Sequence, residues 1–293
     1  MTSPVLRVIY RSVDLAREVL LTVWLWLPIT FLFRTCRQIP VIISVTTYPP
    51  RIRAAWMAIE TLLRQTVKPE KVLLVLNLEE FPSQRLPFRL SLQTKFGLEI
   101  LWVSKNGLSH DKLLPARRKF PGRTIVTFDD DKYVPRALLA QIFCAAEENP
   151  GCAIGSRGWL LFSPERDRGL RFADNWLRID KPTRARNILT PGAGGCLYPP
   201  EALHPMVDDL ESALREAPTA DDLWFWAALQ KNHTEIVCLG IPPLRPIRFL
   251  RATPALSGVG RAENDKQLQQ VLRHFDIGPD INLLIPVRSV SSE

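Results

Sequence analysis

The chain has 293 residues, 46% hydrophobic and 23% charged, which excludes a disordered or fibrous protein and suffices for one large domain with a full core. Lysine and arginine outnumber aspartate and glutamate by 38 to 30, and the resulting charge of +8 attracts phosphates, whether on nucleic acid, anionic lipid or a small molecule. Nucleic acid is set aside as a partner, because the chain has no run of five like charges and no helix-turn-helix, RRM or zinc-finger pattern.

Residues 19–33, VLLTVWLWLPITFLF, are apolar apart from two threonines and are bracketed by Arg11, Arg17, Arg34 and Arg37. Fifteen helical residues span about 22 Å, short of the roughly 30 Å hydrocarbon core of a bilayer. Pro28 would also kink the helix. Tryptophans and flanking arginines suit the headgroup level, so residues 1–38 are expected to form an apolar helix associated with a membrane surface. The alternative is a helix packed on the protein's own core. Cys36, Cys144, Cys152, Cys196 and Cys238 are odd in number and irregularly spaced, without a CxxC pair. They read as reduced, mostly buried thiols, which favours the cytoplasm and the inner face of the membrane.

From residue 40 short apolar strands alternate with helical spacing. PVIISVTTY (40–48) is a β-branched run that stops at PPR, and residues 52–66 then carry a helical pattern. KVLLVLN (71–77) and LEILWVS (98–104) read as the second and third strands, with a proline-bearing connection between them. HDKLLPARRKF reads as a helix, and RTIVTF (123–128) as a fourth strand ending in three aspartates. This alternation predicts a doubly wound α/β domain over residues 39–280, with a mostly parallel sheet and helices on both faces. Such sheets bind ligands beyond the carboxyl ends of their strands, where TTYPPR, Asn77 and the aspartates lie. After residue 150 the regularity fades, with PGAGGCLYPP (191–200) and TADDLWFWAALQ (219–230) as the legible pieces and a frayed tail within 281–293.

Three adjacent aspartates repel one another, and a divalent cation relieves that cost. Asp129 and Asp131 have the i, i+2 spacing that turns two hard oxygen ligands toward one Mg²⁺ or Mn²⁺. An exposed acidic turn is the plainer alternative. Asp221 and Asp222 open a helix; one aspartate is accounted for as a cap, and the other is left as a general base for a hydroxyl. The glycines of PGAGGCLYPP allow close approach to a ligand, although a plain turn has the same composition. Arg51, Lys112 and Arg261 are candidates to hold a diphosphate.

Taken in order, SVTTYPPRI, LLRQTVKPEKVLLVLN, KLLPA, TIVTFDDDKYVP, GAGGCLYPP, ADDLWFW and ENDKQLQQV resemble bacterial glycosyltransferases of the GT-A fold, close to the family 2-like enzymes of capsule and surface-polysaccharide gene clusters. The resemblance covers about residues 40–275 and implies a GT-A, Rossmann-like sheet. It implies a donor loop at Thr46, Thr47, Tyr48 and Arg51, with Asn77 beside it, a metal at Asp129 and Asp131, and Asp130 near the ribose. Lys112 would face the diphosphate, Gly194 and Gly195 the acceptor, and Asp222 or its neighbour Asp221 would be the base. Asn264 and Asp265 resemble a flap that closes over the donor. The implied reaction moves one sugar from a nucleotide-diphosphate sugar, a UDP-sugar foremost, to a hydroxyl of a glycan or lipid-linked saccharide, with inversion. The QXXRW motif of processive synthases is missing, which favours single addition over polymerisation. A sugar nucleotidyltransferase, a HAD-type phosphohydrolase and a non-catalytic glycan-binding protein are the competing classes.

Overall fold

The computed structural model describes residues 19–25, 37–161, 176–247, 261–278 and 288–289. Helix α1 (19–25) precedes β1 (Gln38–Thr46), after which helices and strands alternate: α2 (Ile52–Leu63), β2 (Lys68–Asn77), α3 (Phe88–Gln93), β3 (Leu98–Val103), α4 (Leu114–Lys119) and β4 (Thr124–Thr127). Next come β5 (Lys132–Tyr133), α5 (Leu138–Glu148), β6 (Ala153–Gly155) and a run of short strands, β7 (Trp159–Leu161), β8 (Trp176–Arg178), β9 (Thr183–Ala185), β10 (Ile188–Leu189) and β11 (Cys196–Tyr198). The remaining elements are α6 (Leu210–Glu216), α7 (Asp221–Lys231), β12 (Ile236–Cys238), β13 (Arg245–Pro246), α8 (Arg261–His274) and β14 (Arg288–Ser289).

The main sheet has the order β14-β9-β12-β6-β11-β4-β1-β2-β3. Strands β3, β2, β1 and β4 run parallel, as the sequence predicts for the first half. The second half is mixed, because β11 lies antiparallel between β4 and β6, and β9 and β14 run antiparallel at the far edge. Gly195, with φ +98°, turns the chain into β11, so the glycine segment builds a central strand as well as a loop. Ser289 pairs with Thr183 in the edge strand, where the sequence suggests a frayed tail.

Side chains alternate across the sheet and feed two cores. Val41, Ile43 and Val45 pack with Trp56, Ile59 and Leu62 of α2 and Leu139 and Ile142 of α5. Ile42, Leu73 and Ile125 face the opposite layer, with Leu114, α7, Leu268 and Val271 of α8, and Phe275 just after it. Helix α7 is buried from Leu223 to Leu229, and the Trp224 indole donates to the Val207 carbonyl at 3.0 Å. Fully burying each of its large side chains stabilises the fold by roughly 1.5–3 kcal/mol. The first turn of α7 is therefore fixed against the sheet, and both cores carry their helices toward the carboxyl ends of β1, β2 and β4.

Helix α1 rests on α2. Arg64, wholly buried, pairs with Glu60 at 2.7 Å, donates to the carbonyls of Trp24 at 3.0 Å and Leu25 at 2.9 Å, and stacks on the Trp24 ring at 4.4 Å. The other side of α1 exposes Val19, Leu20 and Val23. No helix among the described residues is long and apolar enough to cross a membrane. Residues 26–33 of the apolar stretch, and Cys36, lie outside the described residues. Of the other cysteines, Cys152, Cys196 and Cys238 are buried, Cys144 is exposed, and none forms a disulfide.

Candidate functional site

A cavity of about 610 Å³ opens at the carboxyl ends of β1, β2 and β4. Thr46, Thr47, Tyr48, Arg51, Asn77, Lys112, Asp129, Asp130, Asp131, Asp221 and Asp222 all line it, from five separate stretches of chain. The connection after β1 supplies the first group. The Tyr48 carbonyl accepts from the amides of Arg51 and Ile52 at 2.9 and 3.1 Å, closing the turn that starts α2. The turn also brings the Arg51 guanidinium over the Tyr48 ring at 5.5 Å.

The three aspartates do not act alike. Asp130 is buried and turned back, bonded by the Thr47 hydroxyl at 2.5 Å and by Arg51 at 3.0 Å. Burial pushes its carboxyl up to about 6, against the pull of Thr47 and Arg51 and with the push of Asp129 and Asp131. Asp129 and Asp131 flank it in the turn that follows β4, and both line the cavity. Asp131 meets Lys132 at 2.7 Å and Arg51 at 3.4 Å, and Asp129 meets Lys112 at 3.2 Å. Burial alone would raise the Asp129 carboxyl, but Lys112 and Lys132 hold it below its ordinary value.

Lys112 joins the two acidic clusters. Its ammonium lies 2.8 Å from Asp221, 3.2 Å from Asp129 and 3.8 Å from Asp222. Burial opposes the charge, yet the three carboxylates keep it well above the ordinary lysine value. The helix pattern predicted for residues 110–120 resolves into a 3₁₀ segment, Leu108–Lys112, followed by α4, and it is the 3₁₀ segment that brings Lys112 inward.

Asp221 and Asp222 occupy the first turn of α7, with Ala220 as the N-cap and no side-chain cap bond. Neither aspartate is spent on capping. Asp221 is buried and held by Lys112, whereas the Asp222 side chain is 31% exposed to the cavity and its Oδ1 accepts the Gly192 amide at 2.9 Å. Burial, and then the neighbouring Asp221, push the Asp222 carboxyl up to about 7. No donor among the described residues reaches the second oxygen of Asp222 within hydrogen-bonding distance. The pair that the sequence leaves open thus divides into a member held closely by Lys112 and one, farther from it, that keeps an oxygen open to the cavity.

Gly194 and Gly195 do not line the cavity; Pro191 and Ala193 of the same loop do. A Cβ at Gly195 would come within 2.4 Å of the Phe128 ring, and one at Gly194 within 2.5 Å of the Ser156 hydroxyl and 2.7 Å of Arg157 Cγ. Both glycines therefore admit packing of the protein against itself. Gly192 is the one beside the chemistry, since a Cβ there would come within 2.8 Å of the Lys112 ammonium. Asn264 and Asp265 lie on α8 and do not line the cavity; α8 reaches it through Gln267, which bonds the hydroxyl of the lining residue Thr219 at 2.8 Å. Nothing is described for the Arg261 side chain.

Glu80, Asn106, Asp111, Arg157 and Trp159 also line the cavity, although the sequence reading did not single them out. Asn77 gives a signal for the first of these. Its side-chain Oδ1 accepts the amides of Glu79 at 2.7 Å and Glu80 at 3.3 Å, an Asx turn that a strand-ending asparagine announces. Arg157 and Trp159 follow a three-residue strand, and nothing periodic marks them in the sequence.

Among the described residues, seven carboxylates and four cationic side chains line the same cavity, a surplus of negative charge that a divalent cation would relieve. Asp129 and Asp131 offer hard oxygen donors on one wall, and this suits a cation completed by phosphate oxygens and water. No group of three or more candidate ligand side chains is present among the described residues.

No protein-family profile matches the chain, and no curated protein matches it in sequence. Among solved structures, the chain is similar to S. aureus TarS 1-349 in complex with UDP-GlcNAc, at 14% identity over 85% of this chain and 68% of that one, with a TM-score of 0.49. The same protein in complex with UDP matches at 14% identity over 82% and 72%, with a TM-score of 0.42.

Proposed function

We propose that the protein is a glycosyltransferase of GT-A type, moving a single sugar from a nucleotide-diphosphate sugar to a hydroxyl. The observation that carries this is the meeting of two acidic clusters across one cavity: Asp129 and Asp131 at the end of β4, and Asp222 at the start of α7, with Lys112 between them. One cluster suits a leaving diphosphate and its cation, and the other an incoming hydroxyl.

The donor nucleotide lies along Thr46, Thr47 and Asn77, and Arg51 offers its charge to the diphosphate. Asp130 holds Thr47 and Arg51 in place rather than facing the ribose. Asp129 and Asp131 would hold Mg²⁺ or Mn²⁺, which when bound neutralises the charge that develops on the leaving diphosphate. Asp222 takes the proton from the acceptor hydroxyl through its open oxygen, while the Gly192 amide fixes the other. Asp221 stays paired with Lys112 and keeps that ammonium charged. Attack from the side opposite the diphosphate inverts the anomeric centre. A UDP-sugar is the donor we favour, and a glycan or lipid-linked saccharide the acceptor, reached from the cytoplasmic face of a membrane that α1 meets.

Calorimetric titration with UDP, with and without Mn²⁺, tests this directly. We expect binding that the metal tightens, and loss of the metal effect in Asp129→Asn. Absence of nucleotide binding sinks the proposal and leaves a glycan-binding protein. With a panel of nucleotide sugars, release of free phosphate without an acceptor identifies a phosphohydrolase, and release of pyrophosphate a nucleotidyltransferase.

A further inference from the structure

Among the described residues four cations line the cavity, and three are engaged: Arg51 by Asp130 and Asp131, Lys112 by Asp129, Asp221 and Asp222, and Lys132 by Asp131. Among the described residues, no carboxylate lies within ion-pair distance of Arg157. Yet it is built into place. Its guanidinium stacks on the Trp159 ring at 5.0 Å, and its stem lies against Gly194, where a Cβ would come within 2.7 Å of it. The Ser156 hydroxyl bonds the Gly194 carbonyl at 2.6 Å and fixes that approach.

Its surroundings point to an anionic ligand. Burial, and then the nearby Arg178, lower the Arg157 guanidinium from its ordinary value, and such crowding is relieved when an anion sits between two cations. Arg157 packs against Gly194 of the loop whose Gly192 amide bonds Asp222, so Arg157 belongs to the acceptor end of the cavity. Trp159, whose ring lies 6.0 Å from that of Trp176, lines this end and offers an aromatic surface to the apolar face of a sugar.

We infer that the acceptor carries a phosphate or carboxylate, which Arg157 receives while the sugar ring lies against Trp159. The inference rests on the glycosyltransferase proposal and narrows its acceptor class. A neutral glycan would leave this guanidinium desolvated and unpaired in the complex, at a cost that a bidentate anion removes.

The test uses the full chain saturated with UDP and Mn²⁺ and follows binding of three probes by ligand-observed NMR: methyl α-glucoside 6-phosphate, methyl α-glucuronide and methyl α-glucoside. We expect one or both anionic probes to bind at least tenfold more tightly than the neutral one, and their ranking separates a phosphate from a carboxylate. Arg157→Gln should abolish the preference with UDP affinity within about twofold of the parent, and Arg157→Lys should retain part of it. Equal binding of all three probes, no binding of either anionic probe, or a preference that survives Arg157→Gln overturns the inference. A tenfold loss of UDP affinity in Arg157→Gln does so too, by assigning the residue to the donor. Failure of the parent chain to bind UDP instead overturns the glycosyltransferase proposal, and the acceptor role falls with it.

Discussion

At the scale of single residues, the site depends on how neighbouring carboxylates are made unequal. Asp221 and Asp222 differ by one position, but Lys112 claims the first and the cavity receives the second. A base must be deprotonated to work, and the Asp222 carboxyl is pushed up to about 7. Transfer should therefore rise with pH through about 7 and level off above it, in a kcat/KM profile measured at saturating metal. Asp222→Asn should lower kcat by about 10²–10⁴ while leaving nucleotide binding intact, and unaffected transfer would remove the base assignment. Asp111 invites a stability test. Burial pushes it up to about 7, against the Gly107 amide that it accepts at 3.1 Å. An unfolded aspartate loses its proton near pH 4, so the folded state binds more protons between about 4 and 7, and stability falls as pH rises through that window. Asp111→Asn should remove this loss: its urea midpoint should exceed that of the parent by a margin that grows from about pH 4 and is constant above about 7, worth up to roughly 4 kcal/mol. An unchanged difference across the window would refute the assigned cause.

At the scale of elements, glycine placement decides whether the second half of the sheet forms. Gly195 combines φ +98° with a Cβ position 2.4 Å from Phe128, so alanine there meets both backbone strain and a clash in the core. Gly195→Ala should destabilise the fold by about 2–4 kcal/mol, seen in denaturant unfolding, and a change below about 0.5 kcal/mol would contradict the packing described. The same segment shows what was legible in the sequence. The runs that form β1, β2, β3 and β4 announce themselves because parallel strands buried on both faces are continuously apolar. Strand β11 is three residues long and emerges from a glycine turn, so it carries no period to read. The aspartates were legible by residue type alone, since adjacent like charges need a reason. Lys112, which the resemblance sets facing a diphosphate, lines the cavity among three carboxylates, because a 3₁₀ segment of five residues turns it inward and leaves no pattern in the sequence. Arg157 and Trp159 acquire their positions from Gly194 and from β10 beside β7, contacts made far along the chain.

At the scale of the whole molecule, α2 links the two surfaces that matter. Its first turn begins at Arg51, in the cavity, and it ends at Arg64, which holds α1. Twelve helical residues separate them by about 18 Å, so whatever α1 rests on lies one short helix from the donor loop. Helix α3 packs on α2 too, through the Gln93 amide on the Trp56 carbonyl at 2.9 Å, so α1 and α3 share one side of the sheet. That side exposes Leu20 at 69% and Phe88 at 76%, and Arg89 lies there over the Trp56 ring at 5.0 Å. Exposed apolar side chains beside arginine, on a chain of charge +8, suit an anionic bilayer surface. The full chain should therefore co-sediment with vesicles containing phosphatidylglycerol and much less with phosphatidylcholine alone, and added salt should weaken the binding. Leu20→Glu and Phe88→Glu should each reduce it several-fold without altering UDP affinity. Arg64→Leu should act differently: loss of the buried cation leaves Glu60 uncompensated and frees the end of α1, at a cost of about 3–5 kcal/mol in stability. If both surface variants bind vesicles as the parent does, the exposed face of α1 and α3 is not what meets the lipid, and any attachment must come from elsewhere in the chain.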